Sequence, residues 1–219
     1  GGDINSLPSA NGSGWKAMKD VILGAAKMVG VDPKMLASIA AIESNFNPTA
    51  RPINKATGQA YSSATGLFQF ISDTWNSMIK KYGAKYGIAI GTPPTDPRAN
   101  ALMGAEFIKD NVSYLKGKLK RALTATDIYI AHFLGPAGAV KFLSADPNEI
   151  AAKILPEAAQ ANPGVFQDKA TGRYLTCGEI YNNFTNKLSS RLATSGVASD
   201  LGAAIPAAAA AGAPSAGKQ

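Results

Sequence analysis

The 219-residue chain holds one cysteine, Cys177, and one histidine, His132. A lone thiol cannot close an internal disulfide, so cysteine usage leaves the redox compartment open. One Cys and one His also fall short of the ligand set that a protein-built zinc site takes. No uninterrupted apolar run approaches the roughly 18 to 20 residues that span a bilayer, so no membrane insertion is expected. Arginine-rich runs and recognised DNA-binding motifs are absent too. Nucleic acid is therefore not an expected partner, although the net charge of +7 asks for an anionic one such as lipid or a bacterial cell envelope. The opening segment has neither a basic start nor an apolar stretch and does not read as a secretory signal. Either a signal was removed or the protein travels by another route.

What is present reads as helix. Hydrophobic residues make up 46% of the chain, enough for one globular domain with a core. Asp32-Pro33, Asp96-Pro97 and Asp146-Pro147 each pair an N-cap acid with proline at the first helical position. Asp146 with Glu149, and Thr176 with Glu179, have capping-box spacing. Gly30, Gly83 and Gly135 follow apolar periodic stretches, as helix-ending glycines do. Trp15, Met18, Ile22, Ala25 and Val29 form one apolar stripe; Leu102, Ala105, Ile108, Val112, Leu115 and Leu119 form another. Ile180, Phe184 and Leu188 mark the last helix, and Ile128 to Leu134 is apolar on nearly all sides. A mainly α domain of about eight helices is expected, with at most a small β-hairpin between Val165 and Thr176. The division expected is a flexible N-terminus at 1–13, one domain at 14–193, and an Ala/Gly/Pro-rich flexible tail or linker at 194–219. Cys177 lies near a helix start, where a thiol can be acidified, but a small packed residue is the simpler reading.

The chemically informative helix is expected from Pro33 to about Asn47, stopped by Pro48. Leu36, Ile39, Ala40 and Phe46 form its inward stripe, and Glu43 falls on that stripe. Apolar neighbours and the negative end of the helix dipole both disfavour a carboxylate there. A Glu kept protonated near neutral pH can hand its proton to a leaving oxygen. Spacing alone leaves open a structural glutamate that reaches solvent or pairs with a lysine.

The surrounding words narrow the choice. Glu43-Ser44-Asn45-Phe46-Asn47-Pro48 resembles the catalytic Glu-Ser motif of the soluble lytic transglycosylases, a family with a goose-type lysozyme fold. Ser63-Ala64-Thr65-Gly66-Leu67-Phe68-Gln69-Phe70 resembles that family's Gly-Leu-x-Gln loop, in matching order and separation. The resemblance implies catalysis by Glu43 and sugar contacts from Ser44, Ser63, Gly66, Leu67, Gln69 and Phe70. Gly66 would let the backbone approach a glycan, and Gln69 offers a donor and an acceptor to an acetamido sugar. Ala131-His132-Phe133-Leu134-Gly135-Pro136 stands where the family has Ala-Tyr-Asn-Ala-Gly, so His132 and Phe133 depart from the pattern. His132 either bonds a sugar or the Glu43 carboxyl, or is a satisfied core residue. Tyr129 is a further aromatic candidate. Tyr181 matches the late tyrosine that hydrogen-bonds the catalytic Glu in this family, or else is a core aromatic beside Phe184. The resemblance runs from Trp15 to Leu192.

Its implied reaction needs one carboxyl and no metal or organic cofactor. Glu43 would protonate the oxygen between N-acetylmuramic acid and N-acetylglucosamine, then take the proton of the sugar's own C6 hydroxyl to close a 1,6-anhydro ring. Asp73 and Asp96 are explained as acids at helix starts. The rivals are a hydrolytic goose-type lysozyme, which needs a second carboxylate, and a non-catalytic wall-binding or virion structural protein. The His132-Phe133 variation and the tail resemble bacteriophage virion transglycosylases more than periplasmic ones. That implies a virion protein of the tail or injected kind, acting on the wall in the bacterial periplasm; a secreted or periplasmic bacterial enzyme is the alternative. Peptidoglycan glycan strands are the expected partner, a monomer the expected state, and other virion proteins or a larger parent polypeptide further associations.

Overall fold

Asp32 and Asp96 start their helices as their spacing predicts. In the computed structural model, which describes residues 2–206, Asp32 accepts from the N–H groups of Lys34 and Met35 to begin α2 (Pro33–Ser44). Asp96 accepts from Arg98 and Ala99 to begin α4 (Pro97–Leu119). Before them, α1 (Trp15–Val29) buries the whole predicted stripe and ends at Gly30, whose φ of 92° is the left-handed turn that glycine supplies. The remaining long helices are α3 (Ser72–Tyr82), α5 (Ala125–Leu134), α6 (Pro136–Ser144) and α10 (Cys177–Thr194). Thr176 and Glu179 form the expected capping box on α10. Thr124 and Asp127 form another on α5, which spacing had not suggested.

The architecture is all α, with isolated β-bridges among the described residues. Short helices α7 (Ala151–Ile154), α8 (Pro156–Ala161), α9 (Pro163–Phe166) and α11 (Ala198–Leu201) lift the described α-helices to eleven, above the eight expected. Two expectations in this stretch give way to long-range pairing. Asp146-Pro147 opens a turn rather than a helix, because backbone from Pro147 to Ala151 pairs with Leu175, Cys177 and Gly178. The hairpin of Val165 to Thr176 shrinks to α9 and a single bridge between Gln167 and Tyr174. Gly83 does not end α3 in a left-handed turn; its φ is −56° and the chain runs on into a 3₁₀ turn at Gly83–Tyr86.

Helix α2 is the hub. It packs against α1, α4 and α10, and its residues from Met35 to Ile42 are all buried, not merely one stripe. Such a helix carries its end group into the interior of the protein. α5 packs against α4, α6 and α10 and closes the other side.

Both flanks are more ordered than composition implied. Leu7 is buried against α1, close enough that a Cβ on Gly24 would lie 2.8 Å from its Cδ2. After α10, Val197 is fully buried, and Asp200 accepts from the Trp15 indole at 2.8 Å and from Lys19 at 3.0 Å. The flexible segments expected at 1–13 and from 194 therefore give way to packed ones over these residues. The alanine-rich part of the expected tail, 207–219, lies outside the described residues.

Candidate active site

Glu43 is the penultimate residue of α2, which stops earlier than Pro48 required. Asn45 and Phe46 both turn left-handed, with φ of 50° and 61°, and Phe46 drops into the core against Trp15. Left-handed backbone at a β-carbon-bearing aromatic costs free energy, and burial of the Phe46 ring offsets it. Glu43 is left at the rim with its side chain 17% exposed. Burial pushes its carboxyl from the usual carboxylate range up to about 7, while the charge of Lys187 on α10 pulls the other way.

The glutamine loop is pinned from within. Asn100 on α4 accepts from the Phe68 N–H at 3.0 Å and donates to Pro94 O at 2.8 Å. Gly66, at φ 88°, lies so close that a Cβ would sit 2.4 Å from both Asn100 Nδ2 and Pro94 O. Its bareness permits this internal contact. Leu67 is fully buried and contacts core rather than cleft. Ser63 accepts from the Ser72 N–H at the start of α3, while Ser44 donates to Ala40 O within α2. Gln69 sits at φ 54° and donates its amide N–H groups to Ala50 O at 3.0 Å and Gly66 O at 2.9 Å. That leaves its amide oxygen to accept from a ligand.

His132 joins the loop to Glu43. Its Nε2 donates to Phe68 O at 2.9 Å and stands 3.8 Å from Glu43 Oε2. Burial lowers its basicity to about 4, against the opposing pull of the Phe68 carbonyl, so the ring is neutral and makes no ion pair with Glu43. Phe68, Phe70 and Phe107 meet the imidazole edge-on. A cavity of about 270 Å³ opens here, lined by Gln69, Phe70, Phe107, His132 and Phe133 among others. Tyr129, also on α5, is buried edge-on to Phe184, and Phe133 meets the same ring. The Tyr129 hydroxyl is held well above its ordinary pKa by burial and by the nearby Glu43 charge.

Tyr181 does not reach Glu43. Its hydroxyl bonds Thr124 Oγ1 at 2.5 Å and donates to Asp127 Oδ1 at 3.2 Å, in a cluster completed by Arg121. The reason is the α5 capping box, which places Asp127 opposite the first turns of α10. Cys177 lies beside this cluster and is buried, and desolvation raises its thiol pKa; it is a packed residue, not an acidified one. A separate cavity of about 340 Å³ at Arg121, Cys177 and Tyr181 does not include Glu43.

Three contributors escaped sequence reasoning. Asn100 looks like an ordinary polar residue of a helix, and only its complete burial marks it. Lys187 and Arg191 face α2 from α10, and a four-residue spacing on an amphipathic helix carries no hint of that.

A carboxyl held near 7 beside a glutamine loop and a dry aromatic wall suits proton donation to a leaving oxygen. Residues 20–127 match the family model of the Transglycosylase SLT domain. Over that stretch, just under half of the chain, the protein is similar to the transglycosylase SLT domain. The stretch takes in Glu43 and Gln69 and ends before Tyr129, His132, Phe133 and Tyr181. The SLT match and the least ambiguous geometry therefore coincide on α2 and the glutamine loop. Among the described residues no helix is long and apolar enough to cross a membrane.

Proposed function

We propose that the protein cleaves the β-1,4 bond between N-acetylmuramic acid and N-acetylglucosamine and leaves a 1,6-anhydro ring, with Glu43 as its single acid and base. The observation that carries this reading is the carboxyl at the end of α2, held near 7 and 3.8 Å from His132, a residue of the cavity wall. Near neutral pH a large fraction of Glu43 is protonated, so it can donate to the glycosidic oxygen. The muramic acetamido group steadies the oxocarbenium-like centre. The resulting carboxylate then accepts the C6 hydroxyl proton, and the tethered oxygen closes the ring without water. Gln69 accepts from the substrate through its free amide oxygen, while Phe70 and Phe133 pack against it. His132 stays neutral and keeps Glu43 dry.

Carboxylates on the neighbouring helices are already engaged, which favours the one-acid route over a hydrolytic lysozyme. Glu106 is held by Lys85 and Tyr86, Asp110 by Lys81 and Tyr82, and Asp127 by Arg121. The setting that goes with this reading is a virion-borne or periplasmic enzyme acting on the bacterial wall as a monomer. Mass spectrometry of muropeptides released from purified sacculi tests it. Anhydro-muramic ends are expected, and Glu43→Gln should reduce release by about 100-fold or more. Reducing ends, heavier by one water, make the protein a lysozyme. No release at all overturns the enzymatic assignment, and a loss below about tenfold in Glu43→Gln overturns Glu43 as its acid and base.

A further inference from the structure

His132 is anchored at one atom. In the last turn of α5 its side chain is 4% exposed, and its Nε2 meets the Phe68 carbonyl at 2.9 Å. A carbonyl only accepts, so Nε2 carries the ring proton. Nδ1 of the neutral ring is then a bare acceptor, and it is buried without a hydrogen-bond partner. The rings of Phe68, Phe70 and Phe107 stand edge-on around the imidazole and offer it no polar group. A second acceptor near Nε2 is Glu43 Oε2, 3.8 Å away. That is too far for a hydrogen bond, yet a shift of about 1 Å would make one. One N–H thus stands between two acceptors, a carbonyl of the glutamine loop and the carboxyl at the end of α2.

We propose that His132 is a positioning residue for Glu43, its Nε2–H resting on Phe68 O while the acid is protonated and turning to Glu43 Oε2 once the acid has become a carboxylate. The inference rests on the proposed single-acid mechanism, in which one group is first an acid and then a base. A hydrogen bond to an ionised acceptor is roughly twice as strong as one to a neutral acceptor. The carboxylate therefore wins over the Phe68 carbonyl, and the protonated carboxyl does not. Nδ1 holds the ring by no hydrogen bond, so the turn breaks only the bond to Phe68 O. No proton is transferred: the imidazole keeps its Nε2–H, and Glu43 remains both acid and base. The new bond appears as charge develops on Glu43, which is when an interaction speeds a step. It is given up when the carboxylate takes the C6 hydroxyl proton. A charged imidazole would lock the carboxylate in an ion pair, whereas burial keeps this ring neutral and lets it go. The other ionisable groups that act on Glu43 are Lys187 from α10 and Tyr129 from α5. Arg191 of α10 has its guanidinium on Ala41 O at 3.0 Å. All three are unaltered in variants of His132, so what changes there belongs to the imidazole.

The chain's one histidine gives the test a single imidazole to follow. Nitrogen-15 spectra of the histidine-labelled protein, without substrate, should show a neutral ring with its proton on Nε2. That proton should move downfield with a midpoint at about 7 as Glu43 ionises, and should not move in Glu43→Gln. A signal that stays put in the unaltered protein overturns the proposal, as does a ring proton on Nδ1. In turnover on soluble glycan strands, His132→Phe keeps an aromatic ring but has no donor. It should lower kcat by roughly ten- to a hundredfold and leave KM within about twofold. His132→Gln, which places an amide N–H near the position of Nε2, should recover most of that loss. Full kcat in His132→Phe, or equal losses in the two folded variants, overturns the proposal. The spectra need neither turnover nor an altered histidine, so they stand apart from the sacculus assay. Absent muropeptide release defeats the enzymatic reading, whereas an unmoved imidazole signal defeats His132.

Discussion

At the scale of single residues, Glu43 ties activity and stability to the same proton. Its folded pKa of about 7 lies above the ordinary 4.5, so between those values the folded state holds a proton that the unfolded chain has released. Stability is unaffected by this group below 4.5, falls as pH rises toward 7, and stays reduced above it. The loss corresponds to about 3.5 kcal/mol, from a rise of about 2.5 at roughly 1.4 kcal/mol each. Glu43→Gln removes the charged form, so it should melt several degrees higher than the parent at pH 8 and no higher at pH 4, by calorimetry. Equal melting differences at both pH values would contradict the buried-acid description. Gln69 and Gly66 make the complementary point: a local motif singles them out, while their contacts are with Ala50, Asn100 and Pro94 inside the protein.

At the scale of elements, the site is an end of one helix held between two others. α2 was legible because Asp32-Pro33 marks its start, but its end depends on Phe46 being buried at positive φ, which no local signal announces. The joint between α5 and α10 shows the opposite failure. Tyr181 matched a motif by its place in the chain, while the Thr124–Asp127 capping box and Arg121 decided where its hydroxyl goes. Tyr181→Phe should therefore cost about 1 kcal/mol of stability, the usual worth of a hydrogen bond, and leave the pH profile of muropeptide release where it was. A displaced profile would mean that Tyr181 does act on Glu43.

At the scale of the whole molecule, the segment after α10 acts as a strap across the first helix. Val197 is fully buried, Trp15 donates to Asp200, and Lys34 donates to Ala204 O at 2.9 Å. A chain ending at Thr194 loses these and should be less stable by about 2 to 4 kcal/mol, melting roughly 5 to 10 °C lower in calorimetry. An unchanged melting temperature would restore the reading of 194 onward as a mere linker. Composition suggested that linker because small residues dominate, but one valine and one aspartate suffice to anchor a strap once α1 offers a surface. The sequence by itself determined the mainly α class and the starts of α2, α4 and α10, and it singled out Glu43 and Gln69 as candidates, because caps, periodicity and short motifs are local properties. Tertiary structure alone decided that a neutral His132 stands beside Glu43, that Arg191 ties α10 to the end of α2, and that the Tyr181 hydroxyl goes to Thr124 and Asp127. Those outcomes depend on which distant surfaces meet, and burial and charge proximity arise only when they do.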